Sequence, residues 1–104
     1  MANYIIKIPH NGKDHYLIWC TMMDAPATHG SSLAALKSYY KQKYGERGLL
    51  DLSERLKRVE IKGVSSHLHD NFKELIQHNR AGDQEEELTM QQIIEKYCRE
   101  EDYV

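Results

Sequence analysis

Asn11-Gly12 lies between two runs rich in β-branched and aromatic residues, Tyr4-Ile5-Ile6-Lys7-Ile8 and His15-Tyr16-Leu17-Ile18-Trp19-Cys20-Thr21. Both turn residues tolerate φ > 0, which a two-residue hairpin turn requires. Pro9 is expected to end the first run, because proline cannot donate to a strand ladder. The chain therefore opens as an antiparallel hairpin. Its second run is almost continuously apolar, which predicts a central strand buried on both faces. A two-stranded hairpin is marginal alone, so helices must pack on it or further strands must join it.

The rest of the chain supplies helices. Ser31 or Ser32 can cap a helix from Leu33 to about Tyr44, with Leu33, Leu36, Tyr40 and Tyr44 on one face and Gly45 just past its end. Lys37, Lys41 and Lys43 make its other side basic. A second helix is expected from about Leu49 to Val59, with a stripe of Leu49, Leu52, Leu56 and Val59. Glu60 to Ser66 breaks that pattern, and Ile61 and Val64 around Gly63 suit a short third strand or a loop equally well. Asp70 can cap a helix from Asn71 to about His78, with Phe72, Leu75 and Ile76 inward, ended by Asn79-Arg80-Ala81-Gly82. Thr89 and Gln92 have the spacing of a capping box, and the last helix carries Met90, Ile93, Ile94 and Tyr97 as its apolar face. The expectation is a single α+β domain over residues 1–104: an N-terminal hairpin, with room for a third strand, against about four short helices.

Composition narrows the class. The 104 residues fit one domain, and hydrophobic residues at 40% can supply one core. A net charge of −2 argues against a duplex-binding surface, which needs a basic patch. No direct nucleic-acid binding is expected. The acids are uneven, however: Asp83, Glu85, Glu86, Glu87, Glu95, Glu100, Glu101 and Asp102 face only Lys96 and Arg99 over the same stretch. Such asymmetry suits a basic partner, although a solvated face explains it too. The cysteines, Cys20 and Cys98, are too sparse for a secreted disulfide framework, so reduced thiols in the cytoplasm are expected, with Cys20 buried in its apolar run. MANYIIKIP lacks the apolar core of a signal peptide, and no run suits a membrane span.

Polar chemistry is densest from Trp19 to Ser32, WCTMMDAPATHGSS. Asp24 before Ala25-Pro26 suits a general base, a contact residue or an Asx turn that holds nearby backbone N–H groups. His29-Gly30-Ser31-Ser32 opens a helix, whose free N–H donors suit an anion, although capping alone explains the serines. Met22 and Met23 are core filler or, beside an exposed Trp19, a protein-binding anchor. Arg80 is a contact candidate outside this segment, and its bland partner would be the acidic run Glu85, Glu86 and Glu87. His67-x-His69-Asp70 has a metal-like look, but His10, His15, His29 and His78 complete no recognised ligand spacing. A nucleophilic reading would need Cys20 paired with His29 or His15. No phosphate-binding glycine loop or dinucleotide fingerprint is present, and no metal or cofactor is expected.

The runs YLIWCTMMDAPATHG, YYKQKYGERGL, LSERLKRVE, NRAG and LTMQQIIEKY together resemble a group of small, functionally unassigned proteins of tailed bacteriophages. The similarity covers about residues 16 to 98, and none of its motifs is catalytic. It implies a phage accessory protein acting in a bacterial cytoplasm. Small phage proteins of that sort often inhibit host defence, including CRISPR effectors.

The resulting expectation is a non-enzymatic binding protein that blocks a host protein, possessing no cofactor and free to self-associate. That host protein would itself be one that handles nucleic acid. Its contact residues would be Trp19, Met22, Met23, Asp24, His29, Arg80, Glu85, Glu86 and Glu87. The rival readings are a nucleotide-binding sponge at residues 29–32, a small enzyme built on Asp24, His29 and Cys20, and a phage structural or assembly protein.

Overall fold

β1 (Asn3–His10) and β2 (Lys13–Cys20) pair antiparallel, with His10 opposite Lys13. In the computed structural model, Asn11 and Gly12 take φ values of 52° and 75°, the left-handed pair that the turn demands. The structure describes residues 3–65, 72–77, 79–82, 84, 86–100 and 103. Pro9 does not end β1 but lies within it, opposite Asp14. The register explains this. Ile5 and Lys7 send their N–H groups away from β2, to Ser65 Oγ at 2.8 Å and Gly63 O at 2.9 Å. Pro9 shares that outward parity, so its missing donor costs the β1–β2 ladder nothing.

A third strand exists, but it comes from a different segment than Ile61–Val64. β3 (Ala25–Pro26) pairs with Trp19 and Cys20, giving the order β1-β2-β3. The chain then stays beside β2: Ala27 N donates to Ile18 O at 2.7 Å, and Tyr16 and Ser31 exchange backbone hydrogen bonds. Val64 makes only an isolated bridge to Ile6 and covers the β1 edge, while Ile61 points to solvent. The segment from Gly63 to Ser65 thus covers the β1 edge, which removes it as a template for foreign strands.

As the apolar run predicts, β2 is central, and His15, Tyr16, Leu17, Ile18 and Trp19 are all buried. Their alternation splits the core. Ile5, Tyr16 and Ile18 meet Leu36, Tyr40, Leu52 and Val59 on one face. Ile6, Ile8, Leu17 and Trp19 meet Leu75, Ile76, Ile93 and Cys98 on the other.

The helices number three among the described residues, fewer than the four expected. α1 (Leu33–Lys62) absorbs both of the first two expected helices. Ser32 caps it, its Oγ accepting from Ala35 N at 3.2 Å. Gly45 interrupts it at φ 70°, ψ −156°, a conformation open essentially to glycine alone. The helix resumes after this kink, so α1 is two helical stretches in direct succession, and Gly45 does lie just past the end of the first. α2 (Phe72–Ile76) buries Leu75 and Ile76. The expected start at Asp70 and Asn71, the end at His78 and the inward side chain of Phe72 lie outside the described residues. α3 (Met90–Tyr97) begins with the anticipated capping box: Gln92 N donates to Thr89 Oγ1 and Thr89 N to Gln92 Oε1. Ile93 is its buried anchor, with Met90, Ile94 and Tyr97 packed around the same core.

Candidate functional site

The segment from Trp19 to Ser32 first leaves the sheet and then returns to it. Thr21 to Asp24 form the turn between β2 and β3. Asp24 takes φ 52°, a left-handed conformation that Asp tolerates better than most residues. Its carboxylate goes to Arg80, with Oδ2 accepting from Nη2 at 3.1 Å, rather than to an Asx turn. The backbone repeats the tie, since Arg80 N donates to Asp24 O at 2.8 Å. Arg80 therefore pairs with Asp24 and, among the described residues, not with Glu86 or Glu87; Glu85 lies outside them. Two candidate residues 56 positions apart are brought together at the surface.

Met22 and Met23 project from this turn, 82% and 50% exposed. They are not core filler. Trp19 is the reverse: at 1% exposure it belongs to the core, because β2 alternation turns it toward Ile93 and its neighbours. It is no surface anchor. Glu86 and Glu87 are exposed, on a loop closed by Gly82 N donating to Glu86 O at 2.8 Å. Glu85 and Asp83 lie outside the described residues. Met22, Met23 and the Asp24–Arg80 pair thus lie together at one exposed turn.

His29 is exposed and packs its ring on Tyr97, with centroids 5.5 Å apart. Three of the donors around it are already used. Gly30 N donates to Tyr97 O at 2.7 Å, Ser31 N to Tyr16 O at 3.0 Å, and Ala35 N to Ser32 Oγ. Gly30 N, Ser31 N and Ala35 N are thus not free for an anion.

Asp24 is held by Arg80 and His29 lies on Tyr97, so neither is drawn toward Cys20. Both cysteines are free. Cys20 is half-buried rather than buried, and burial pushes the Cys98 thiol up to about 11, where it carries no thiolate at neutral pH. Among the described residues no His, Cys, Asp and Glu group could hold a metal ion, and His67, His69, Asp70 and His78 lie outside them. No helix among the described residues is long and apolar enough to cross a membrane.

Two features escaped the sequence reading. Asn79 is 1% exposed and makes four hydrogen bonds: Nδ2 donates to Ile76 O and Leu88 O, and Oδ1 accepts from Ala81 N and Leu88 N. It fastens the end of α2 to the approach to α3, and so fixes where Arg80 meets Asp24. An Asn after a helix reads as a turn former, and nothing local signals its burial. The second feature is a cleft of about 330 Å³ beside the α1 kink, walled by Tyr39, Tyr40, Tyr44 and Arg47. Its signal is the pair Gly45 and Gly48 beside three tyrosines, which periodicity alone reads as a helix end and a core stripe. No protein-family model, curated protein or solved structure matches the chain.

Proposed function

We propose that this is a non-enzymatic binding protein whose tip, Met22, Met23, Asp24 and Arg80, docks on another protein and blocks it. The observation that supports this reading is the double tie between Asp24 and Arg80, which holds an exposed methionine pair on a fixed backbone. A surface ion pair adds only about 0–1 kcal/mol to stability, so folding alone gives little reason for this arrangement. Flexible, polarisable methionines suit protein surfaces, and pre-organisation lowers the cost of binding. Glu86 and Glu87, exposed on the loop that Gly82 closes, favour a partner with basic character. The resemblance to small phage proteins supplies the class of partner, a host defence protein such as a nucleic-acid-handling CRISPR effector. A basic surface on such a partner would suit these glutamates.

The test is photo-crosslinking from position 22 or 23 in the host bacterium, with affinity then measured on the captured protein. Met22→Asp and Arg80→Ala should each weaken binding at least tenfold, about 1.4 kcal/mol, while leaving the circular dichroism spectrum unchanged. Wild-type affinity in both folded variants would remove the tip as the docking surface. A symmetric self-assembly that buries the tip, with no host protein crosslinked, would instead favour the structural or assembly role.

A further inference from the structure

The cleft beside the α1 kink has the make-up of a ligand site. Ile18 contributes apolar sheet surface to its lining, and Tyr39, Tyr40 and Tyr44 supply aromatic rings. The tyrosines brace one another: Tyr40 and Tyr44 centroids are 5.3 Å apart, and Tyr39 meets Tyr40 edge-on at 6.0 Å. Tyr40 is buried, whereas Tyr39 and Tyr44 stay 38% and 40% exposed. Lys43 holds this exposed pair, donating from Nζ to Tyr39 Oη at 3.1 Å and lying 5.6 Å from the Tyr44 ring centroid.

Gly48 is what allows the cleft to exist. A Cβ there would stand 2.4 Å from Tyr44 Cβ and 2.9 Å from Tyr40 O. Any larger residue would push Tyr44 out of its place.

The two guanidinium groups of the cleft differ. Arg55 is committed: its Nε donates to Asp51 Oδ2 at 2.8 Å and its Nη1 to Asn3 O at 2.9 Å. Arg47 is exposed and has no ion pair or hydrogen bond among the described residues. Arg55 and Asp51 offset each other, which leaves Arg47 as the uncommitted cation of the cleft beside Lys43, whose ammonium is hydrogen-bonded to Tyr39. Aromatic faces for stacking, an apolar surface and one uncommitted guanidinium select a flat aromatic ring that carries a single anionic group. The volume, about 330 Å³, is at the lower end of small-molecule sites and suits a single small ring system.

We infer that this cleft binds a small planar aromatic anion, with the ring stacked on Tyr39 and Tyr44 and the anionic group on Arg47. A nucleoside monophosphate and an aryl carboxylate both have this chemistry. The site uses no residue of the methionine tip, so it stands or falls independently of the docking surface.

Calorimetric titration of the full chain tests the inference with two sets of probes: AMP, GMP, CMP and UMP, and then 4-hydroxyphenylacetate and indole-3-acetate. At least one probe should bind, and the set to which it belongs identifies the source. Arg47→Gln should weaken that probe about tenfold or more, since hydrogen bonds to charged groups are among the stronger ones. Tyr44→Leu keeps apolar bulk but removes the stacking face, and should weaken it severalfold. Arg47 is exposed, so its variant folds even if the Tyr44 variant does not. Absence of binding by every probe at millimolar concentration would overturn the inference. So would wild-type affinity in Arg47→Gln.

Discussion

The two faces of the sheet are closed by opposite means. On one, the long α1 lies across Ile5, Tyr16 and Ile18 and supplies every buried partner from a single element. On the other, Trp19 and its neighbours are covered by α2 and α3, which have 5 and 8 residues, and by the chain between them. Isolated helices shorter than about 12–15 residues are marginal in water. The short-helix face therefore depends on polar ties, and these converge on Asn79 and the Thr89–Gln92 capping box. The α1 face needs few such ties, and its one interruption, at Gly45, leaves room for a cleft. A face closed by one long element can spare a gap, whereas a face assembled from fragments has to be fastened.

If this contrast holds, apolar truncations should cost the same on both faces and polar ones should not. Leu52→Ala and Ile93→Ala remove side chains that are 1% and 0% exposed. Each should lose about 2–5 kcal/mol in urea unfolding, and a much smaller loss at Ile93 would mean that the short-helix face is loosely packed. Asn79→Ala leaves Leu88 N and Ala81 N without their acceptor and should cost about 3 kcal/mol. Its counterpart on the other face, Ser32→Ala, removes only the α1 cap and should cost about 1 kcal/mol. Equal losses at these two positions would dissolve the distinction.

His15 gives the smallest effect and belongs to the short-helix face. It is 1% exposed, its Nδ1 has no hydrogen-bond partner, and Tyr103 meets its ring edge-on at 4.8 Å. Burial, followed by the nearby His10 charge, lowers its pKa from the ordinary 6.5. The unfolded chain therefore takes up this proton first as pH falls. His15 costs nothing above its unfolded value, and below it stability declines at up to about 1.4 kcal/mol per pH unit. Thermal unfolding followed from about pH 7 to 5 should show a steeper decline in the wild type than in His15→Gln. Parallel slopes would show that His15 takes up its proton without opposing the fold.

Much of the fold was legible because its signals are local. The Asn11-Gly12 turn, the burial of β2, the Ser32 cap and the Thr89–Gln92 box each depend on residues a few positions apart. The misreadings share a cause of another kind. Pro9 was expected to end β1, but a proline is tolerated wherever its nitrogen faces outward, and that parity is set by the partner strand. Ile61 to Val64 suit a strand or a loop equally by sequence; they end α1 and bridge Ile6, while the third strand forms at Ala25–Pro26, because pairing to β2 depends on where the chain returns. Of the candidate site, Met22, Met23, Asp24 and Arg80 converge. Trp19 does not join them, because alternation along β2 sends it into the core.

The order of the elements, the hairpin register and the helix starts follow from short-range chemistry: which residues tolerate positive φ, which cap an amide, which alternate. The pairing of Asp24 with Arg80, the burial of Asn79 and the gap between Tyr44 and Arg47 depend on segments far apart in the chain, or on the path of a kinked helix. Such contacts exist only after the sheet has been covered on both faces. Their energies arise from burial and from polar groups withdrawn from water, and neither is encoded in any window of neighbouring residues.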